Sequence, residues 1–378
     1  MSIRPDYRQS PLASLAEINW LIVGLMTIIA CIGFVMMVSA AGGSFLPWAV
    51  PQMMRFALAF VLMIIIALLP MRLLMDYAYP VYIACLLVLL GVDILGHIGM
   101  GARRWLSLGG LNIQPSEFMK LAVILALARY FHQTYPEDIR RIPFLIPPAM
   151  MIALPAVLIL KEPNLGTTLI LVTTGGVICF FAGVRWRYFI GLALAALAAA
   201  PVVWHLLHDY QKRRVLTFLN PDSDPLGAGY NILQSMIAIG SGGFFGKGFL
   251  QGSQSQLDFL PEKHTDFIFT VLAEEFGFFG CLVLLGLYVM LLASGMMVAG
   301  RSRSTFGSLM AAGVVALIFL HILINCGMVM DLLPVVGVPL PLMSYGGSIM
   351  LSTVLAVGLL QNAWVHRDEL PLRLTPKL

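Results

Sequence analysis

Residues 20–38 read Trp20-Leu-Ile-Val-Gly-Leu-Met-Thr-Ile-Ile-Ala-Cys-Ile-Gly-Phe-Val-Met-Met-Val38, nineteen residues without a charge. At 1.5 Å per residue, such a helix crosses about 30 Å of hydrocarbon. Lipid offers no hydrogen bonds to the backbone, so the stretch has to be helical if it spans. Ser39-Ala40-Ala41 follows it and resembles a signal-peptide cleavage site. The apolar run is longer than a signal core, and more such runs follow, so an uncleaved anchor is expected.

Working outward, nine further apolar runs occur, near 52–69, 77–97, 116–132, 143–160, 165–183, 188–207, 267–298, 306–330 and 345–365. The fold class expected is all-α, a polytopic integral membrane protein with about ten transmembrane helices. It is expected to form a single transmembrane domain over 1–378, with one large extracytoplasmic loop at about 208–266. Composition agrees: 59% of the 378 residues are hydrophobic and 11% are charged, where a soluble domain carries roughly 25% charged residues. Pro147, Pro148 and Pro155 predict a kink in the fifth span. The eighth run is long enough to tilt or to extend past the bilayer. The five cysteines stand inside apolar runs without a CxxC pair, which suggests packing residues rather than disulfides or zinc ligands.

Basic residues set the orientation. With the N-terminus cytoplasmic, inside segments hold thirteen Lys and Arg, and the short outside loops hold three, Arg103, Arg104 and Lys161. Both termini are therefore expected in the cytoplasm and the long loop outside. That loop contains Lys212-Arg213-Arg214, a turn-rich segment at 220–225, a mildly apolar stretch at 234–239 and a glycine-rich stretch at 240–248. The glycines do not form a P-loop, because Gly248 stands where Ser or Thr belongs.

An ionisable residue at membrane depth is costly and marks function by default. Such residues gather toward the outer face: Arg103, Arg104, Glu117, Lys120, Lys161, Glu162, Glu262, Lys263, His264, Asp266, Glu274, Glu275 and Asp331. The stretch Pro334 to Gly347 predicts irregular backbone of the kind that lines a cavity. Plainer roles compete. Glu117 and Lys120 are spaced i, i+3 and can simply pair. Asp266 precedes an apolar helix and can cap it. His264 has no second His at ligand spacing, so no zinc site is expected. Together, the acids and bases suit an amphiphilic phosphate or diphosphate substrate; the residues alone reach no further.

Several segments carry a family likeness: Gly101 to Leu106, Gln114 to Lys120, Asp224 to Tyr230, Ile237 to Gly243, Phe259 to Phe269, Leu333 to Leu342, and Ser344-Tyr-Gly-Gly-Ser348. They resemble the SEDS family (shape, elongation, division and sporulation) over nearly the whole chain. Gln254-Ser-Gln-Leu257 resembles its elongation branch rather than its division branch. The resemblance implies an inverting peptidoglycan glycosyltransferase that polymerises lipid II at the outer face of the bacterial inner membrane, for cell elongation and rod shape. It implies a class B penicillin-binding protein and the elongation machinery as partners, lipid II and undecaprenyl diphosphate-linked glycan as substrates, and no nucleic acid. Asp266 matches the family's catalytic carboxylate. Glu117 and Lys120 match its paired acid and base, and Arg103 and Arg104 its basic outer loop. Lys263, His264, Glu262 and Ser344 are expected to support substrate binding. No metal ligand set appears, although a divalent cation would suit a diphosphate leaving group. The family's Pro-Asp-Leu-Gly-Thr reads here Pro163-Asn164-Leu165-Gly166-Thr167, with Glu162 nearby. That departure puts a charge-dependent role of the Asp in doubt. Two other readings fit the same features, a lipid II flippase and a non-enzymatic scaffold for the penicillin-binding partner.

Overall fold

The computed structural model describes residues 15–95, 97–99, 102–108, 111–162, 164–206, 212, 216–217 and 228–369. The segment 220–225, Arg213 and Arg214 lie outside the described residues.

Among the described residues, ten helices of at least seventeen residues form the body. They are α1 (Trp20–Ala40), α2 (Ala49–Leu68), α3 (Met71–Leu95), α4 (Pro115–Gln133), α5 (Ile142–Lys161), α6 (Leu165–Phe181), α7 (Trp186–Leu206), α10 (Ile268–Arg301), α11 (Thr305–Val329) and α12 (Gly347–Val365). Among the described residues, the shorter helices α8 (Ala228–Gly242) and α9 (Ser253–Gln256) lie in the long loop. Seven of the ten are long and apolar enough to cross a membrane by composition, and two more are shorter apolar helices. The tenth, α4, carries Glu117, Lys120 and Arg129 and is nearly all buried. The chain is a multi-pass helical membrane protein, and its helices coincide with the hydropathy runs to within a few residues, except that α3 starts earlier.

Burial grades the helices. α11 and α12 have 83% of their apolar windows buried against 22% for α2, α3 and α5, so these two form the centre. α7 is exposed along nearly its whole length, as befits a helix solvated by acyl chains. At one end, α12 fastens two neighbours with side-chain amides. Gln361 exchanges bonds of 3.0 and 2.9 Å with the backbone of Asn19. Asn362 Nδ2 donates to the carbonyls of Ile66 and Leu69 at the end of α2.

Two features differ from the sequence reading. The loop after α3 forms a small antiparallel sheet, β1 (His97–Gly99), β2 (Ala102–Leu108) and β3 (Leu111–Ile113), in the order β1-β2-β3. It had left no apolar alternation clear enough to read. α10 is interrupted at Gly277, with φ 64° and ψ −162°.

That break explains the glycine-rich stretch. The carbonyls of Glu274 and Glu275, freed by the break, accept from Lys247 N at 3.1 Å and Gly248 N at 3.0 Å. The N–H groups of Phe278 and Phe279 donate to the carbonyls of Gly243 and Phe244 at 2.9 and 3.0 Å. A Cβ at Gly277 would lie 2.3 Å from Gly246 N, and one at Gly246 2.1 Å from Glu275 O. Two backbones thus cross at contact distance and satisfy each other's freed hydrogen-bonding groups.

Candidate active site

The segment 258–267 reaches α10 through turns, with Asp258 and Glu262 at φ 57° and 52°. Thr265 N donates to Glu262 O at 3.0 Å, and Thr265 Oγ1 donates to the Glu262 carboxylate at 2.8 Å. Opposite lies the irregular loop between α11 and α12, where Asp331, Gly337 and Leu342 also have positive φ. Its prolines and glycines kept it from becoming helix, which leaves its polar backbone available.

The two segments are pinned together around Asp266. Tyr345 N donates to His264 O at 2.9 Å. Ser344 Oγ donates to Thr265 O at 2.6 Å and accepts from Leu340 N at 2.8 Å. Asn325 Nδ2, near the end of α11, donates to Asp266 O at 2.9 Å and to Val338 O at 2.7 Å. Three successive carbonyls are therefore fixed. The Asp266 carboxylate faces Gly337, where an added Cβ would sit 3.4 Å from Oδ2. The residue at the N-cap of α10 is Phe267, without a side-chain cap bond, and Asp266 directly precedes it.

The start of α2 forms the adjoining wall. Gln52 Nε2 donates to Ser344 O at 3.1 Å, and its Oε1 accepts from Gly346 N at 3.3 Å. The His264 ring stacks on Trp48, with centroids 4.2 Å apart and planes 3° apart. Burial holds the His264 imidazole below its usual pKa; Glu262 opposes this shift and Lys263 adds to it. Lys263 Nζ donates to Ser255 O and to Asp258 Oδ1, each at 2.6 Å. Its charge is committed to the loop that carries α9. The same loop is anchored by buried Glu274, which accepts from Lys247 Nζ at 2.8 Å and from Gln254 N at 2.9 Å. Glu275 accepts from Ser39 Oγ.

Deeper, Glu117 and Lys120 pair at 2.8 Å with side chains 7% and 1% exposed. Glu117 Oε2 also accepts from Ser352 Oγ at 3.1 Å. Lys120 Nζ lies 2.9 Å from His321 Nε2, while His321 Nδ1 lies 2.8 Å from the Leu317 carbonyl. A carbonyl only accepts, so Nδ1 carries the proton and Nε2 accepts from the lysine. Ser348 Oγ, one turn from Ser352, accepts from Gln114 N at 2.8 Å. The network thus joins α4, α11, α12 and the strand loop.

The described site thus brings together Asp266, His264, Glu262, Lys263 and Ser344. Glu117 and Lys120 form a separate, deeper cluster. Arg103 and Arg104 lie in β2, with Arg103 paired in register to Ile98; their side chains lie outside the described residues. Among the described residues no three His, Cys, Asp or Glu side chains converge as a metal site. Asn164, the departure from the family pattern, caps α6 by accepting from Thr167 N at 3.3 Å. An amide performs that task as an aspartate would. Sequence reasoning missed Trp48, Gln52, Asn325 and His321. Three of these are polar groups inside apolar helices, and that was the only signal they gave.

A family model for a cell cycle protein, FtsW/RodA/SpoVE, matches residues 17–369. The chain belongs to this family. Within the FtsW/RodA/SpoVE family, it is 45% identical over 319 residues to the peptidoglycan glycosyltransferase MrdB of Escherichia coli K12, covering 84% of this chain and 85% of that one. It is 41% identical over 278 residues to the stage V sporulation protein E of Bacillus subtilis, covering 73% and 75%. A chain of a peptidoglycan synthase complex, solved for the coordination of polymerization and crosslinking, superposes with a TM-score of 0.81. It is 35% identical and is matched over 93% of this chain and 98% of its own. The rod shape determining protein RodA of Thermus thermophilus superposes at 0.70, with 30% identity and coverage of 93% and 98%.

Proposed function

We propose that Asp266 is the general base of this chain, which is a peptidoglycan glycosyltransferase of the elongation type. The activity rests on 45% identity to a peptidoglycan glycosyltransferase over most of both chains. The role of Asp266 rests on one observation. Its carbonyl and those of its two predecessors are each held by a bond from the α11–α12 region, so the backbone that bears the carboxylate is fixed in advance.

The reaction assigned is polymerisation of lipid II. The acceptor's GlcNAc 4-hydroxyl gives its proton to ionised Asp266 as its oxygen attacks the anomeric carbon of the donor's terminal MurNAc. The bond from that carbon to the diphosphate oxygen breaks, and its electron pair leaves on undecaprenyl diphosphate. Attack from the opposite face inverts the centre and gives a β-1,4 link. Diphosphate leaves without an acid, but its charge needs fixed cations.

By analogy with the synthase complex, the partner is a crosslinking enzyme, a class B penicillin-binding protein. The orientation that suits lipid II places the Asp266 end outside and both termini in the cytoplasm. Single cysteines at Gln251 and Glu137 in a cysteine-free background test it: an impermeant thiol reagent should label Gln251→Cys on intact spheroplasts, and the reverse pattern would overturn the orientation.

Asp266→Asn tests the base. It preserves size and removes basicity. Labelled lipid II, incubated with the variant and its partner, should give no glycan ladder while melting temperature and partner association stay at wild-type levels. A near-normal ladder would remove Asp266 from the chemistry.

A further inference from the structure

We propose that Arg55 is the cation that binds the diphosphate of the lipid-linked substrate. This rests on the glycosyl-transfer reading above and adds the group that holds the leaving charge. The other candidate cations whose side chains are described, Lys120 and Lys263, already hold acceptors. Lys120 is consumed by Glu117 and His321, and Lys263 by Ser255 and Asp258. Arg55 forms no ion pair among the described residues. Its only polar contact there is a long one, 3.5 Å from NH1 to Gln52 Oε1.

Its placement is unusual for an arginine that merely reaches toward lipid headgroups. Arg55 lies six residues into α2, about 9 Å along the helix from its start. A cation inside an apolar helix is costly unless something anionic or a cavity receives it. The guanidinium turns inward, with Cζ 5.0 Å from the centre of the Tyr345 ring. Tyr345 is the residue whose N–H holds His264 O, two positions before Asp266. Gly347, at the start of α12, leaves the space open: a Cβ there would meet Arg55 Nε at 3.4 Å and Cζ at 3.6 Å. α12 begins at that glycine, and its N-cap, Gly346, offers no side chain to cap the first turn. A guanidinium beside the positive end of a nineteen-residue helix suits a diphosphate, through paired N–H donors and the helix dipole together. The Tyr345 ring lies beside the guanidinium, and Gln52 bonds to Ser344 O and Gly346 N, so the backbone next to Arg55 is held before the anion arrives.

The test is equilibrium binding of undecaprenyl diphosphate to the purified full chain, with undecaprenol as the uncharged control and phosphatidylglycerol as a competing headgroup. Arg55→Gln should weaken undecaprenyl diphosphate binding at least tenfold, leave undecaprenol binding unchanged, and keep the wild-type melting temperature. Arg55→Lys, which keeps the charge but loses the paired donors, should fall between. Repeating the series in the Asp266→Asn background separates the two claims, since the Arg55 dependence of binding should persist there whether or not Asp266 is the base. Equal diphosphate affinity in Arg55→Gln and wild type would overturn the proposal. So would parallel losses of undecaprenol binding and melting temperature, which mark a structural arginine. Competition by phosphatidylglycerol as strong as by undecaprenyl diphosphate would reassign Arg55 to headgroup anchoring.

Discussion

Lys120→Met is the perturbation that most directly interrogates the buried network. In the wild type, Glu117 has two partners, Lys120 Nζ at 2.8 Å and Ser352 Oγ at 3.1 Å. Removing the amine leaves a carboxylate 7% exposed with one neutral hydroxyl donor. Breaking one side of such a pair costs about 3–5 kcal/mol. The Nε2 of His321 also loses its donor, a desolvation penalty of roughly 1–3 kcal/mol. Replacing both charges, Glu117→Met with Lys120→Met, removes the stranded carboxylate; swapping a buried pair for apolar residues is often neutral or stabilising by about 1–4 kcal/mol. The double variant should therefore melt closer to wild type than either single variant does, in detergent-purified protein. Lipid II polymerisation measured on the same samples then separates fold from chemistry: a stable but inactive double variant assigns the pair to the reaction, and a stable and active one assigns it to the fold. The electrostatic account is refuted if Lys120→Met melts like wild type, or if the two single losses simply add in the double.

Gly277→Ala should destabilise by roughly 2–6 kcal/mol, from about 1–3 kcal/mol each for overpacking and for backbone strain. Gly286→Ala in the same helix, where an added Cβ meets nothing within 4 Å, is the control and should melt at or above wild type; equal behaviour of the two would refute the backbone crossing. His264 has a folded pKa depressed by burial, below the unfolded value of about 6.5. Its contribution to stability is therefore complete above pH 6.5 and is lost as pH falls through the folded pKa. Between pH 7 and pH 5 the wild type should lose more melting temperature than His264→Gln, and parallel curves would show that the imidazole is not held neutral. Asn164→Asp should keep both the cap and activity, whereas Asn164→Ala should lose about 1 kcal/mol; inactivity of the Asp variant with an unchanged melting temperature would show that the missing charge matters.

The helices, the family and the stretch proposed as the site were all legible in the sequence alone. Hydrocarbon accepts only backbone that satisfies itself within one segment, so runs such as 20–38 and 306–330 fix spans without reference to neighbours. The His264-Thr265-Asp266 stretch was legible because its polar residues stand at the mouth of an apolar run. The partnerships emerge only from the packing. His321 meets Lys120 across 201 residues, Lys263 turns to Asp258, Ser344 proves to be a clasp on the Thr265 carbonyl, and Arg55 faces Tyr345 rather than lipid. The break at Gly277 was hidden for the same reason. A glycine inside an apolar helix is common, and only the second backbone crossing it at contact distance requires one there. Hydropathy records the cost of leaving water residue by residue, whereas a hydrogen bond between distant helices leaves no mark in the local pattern.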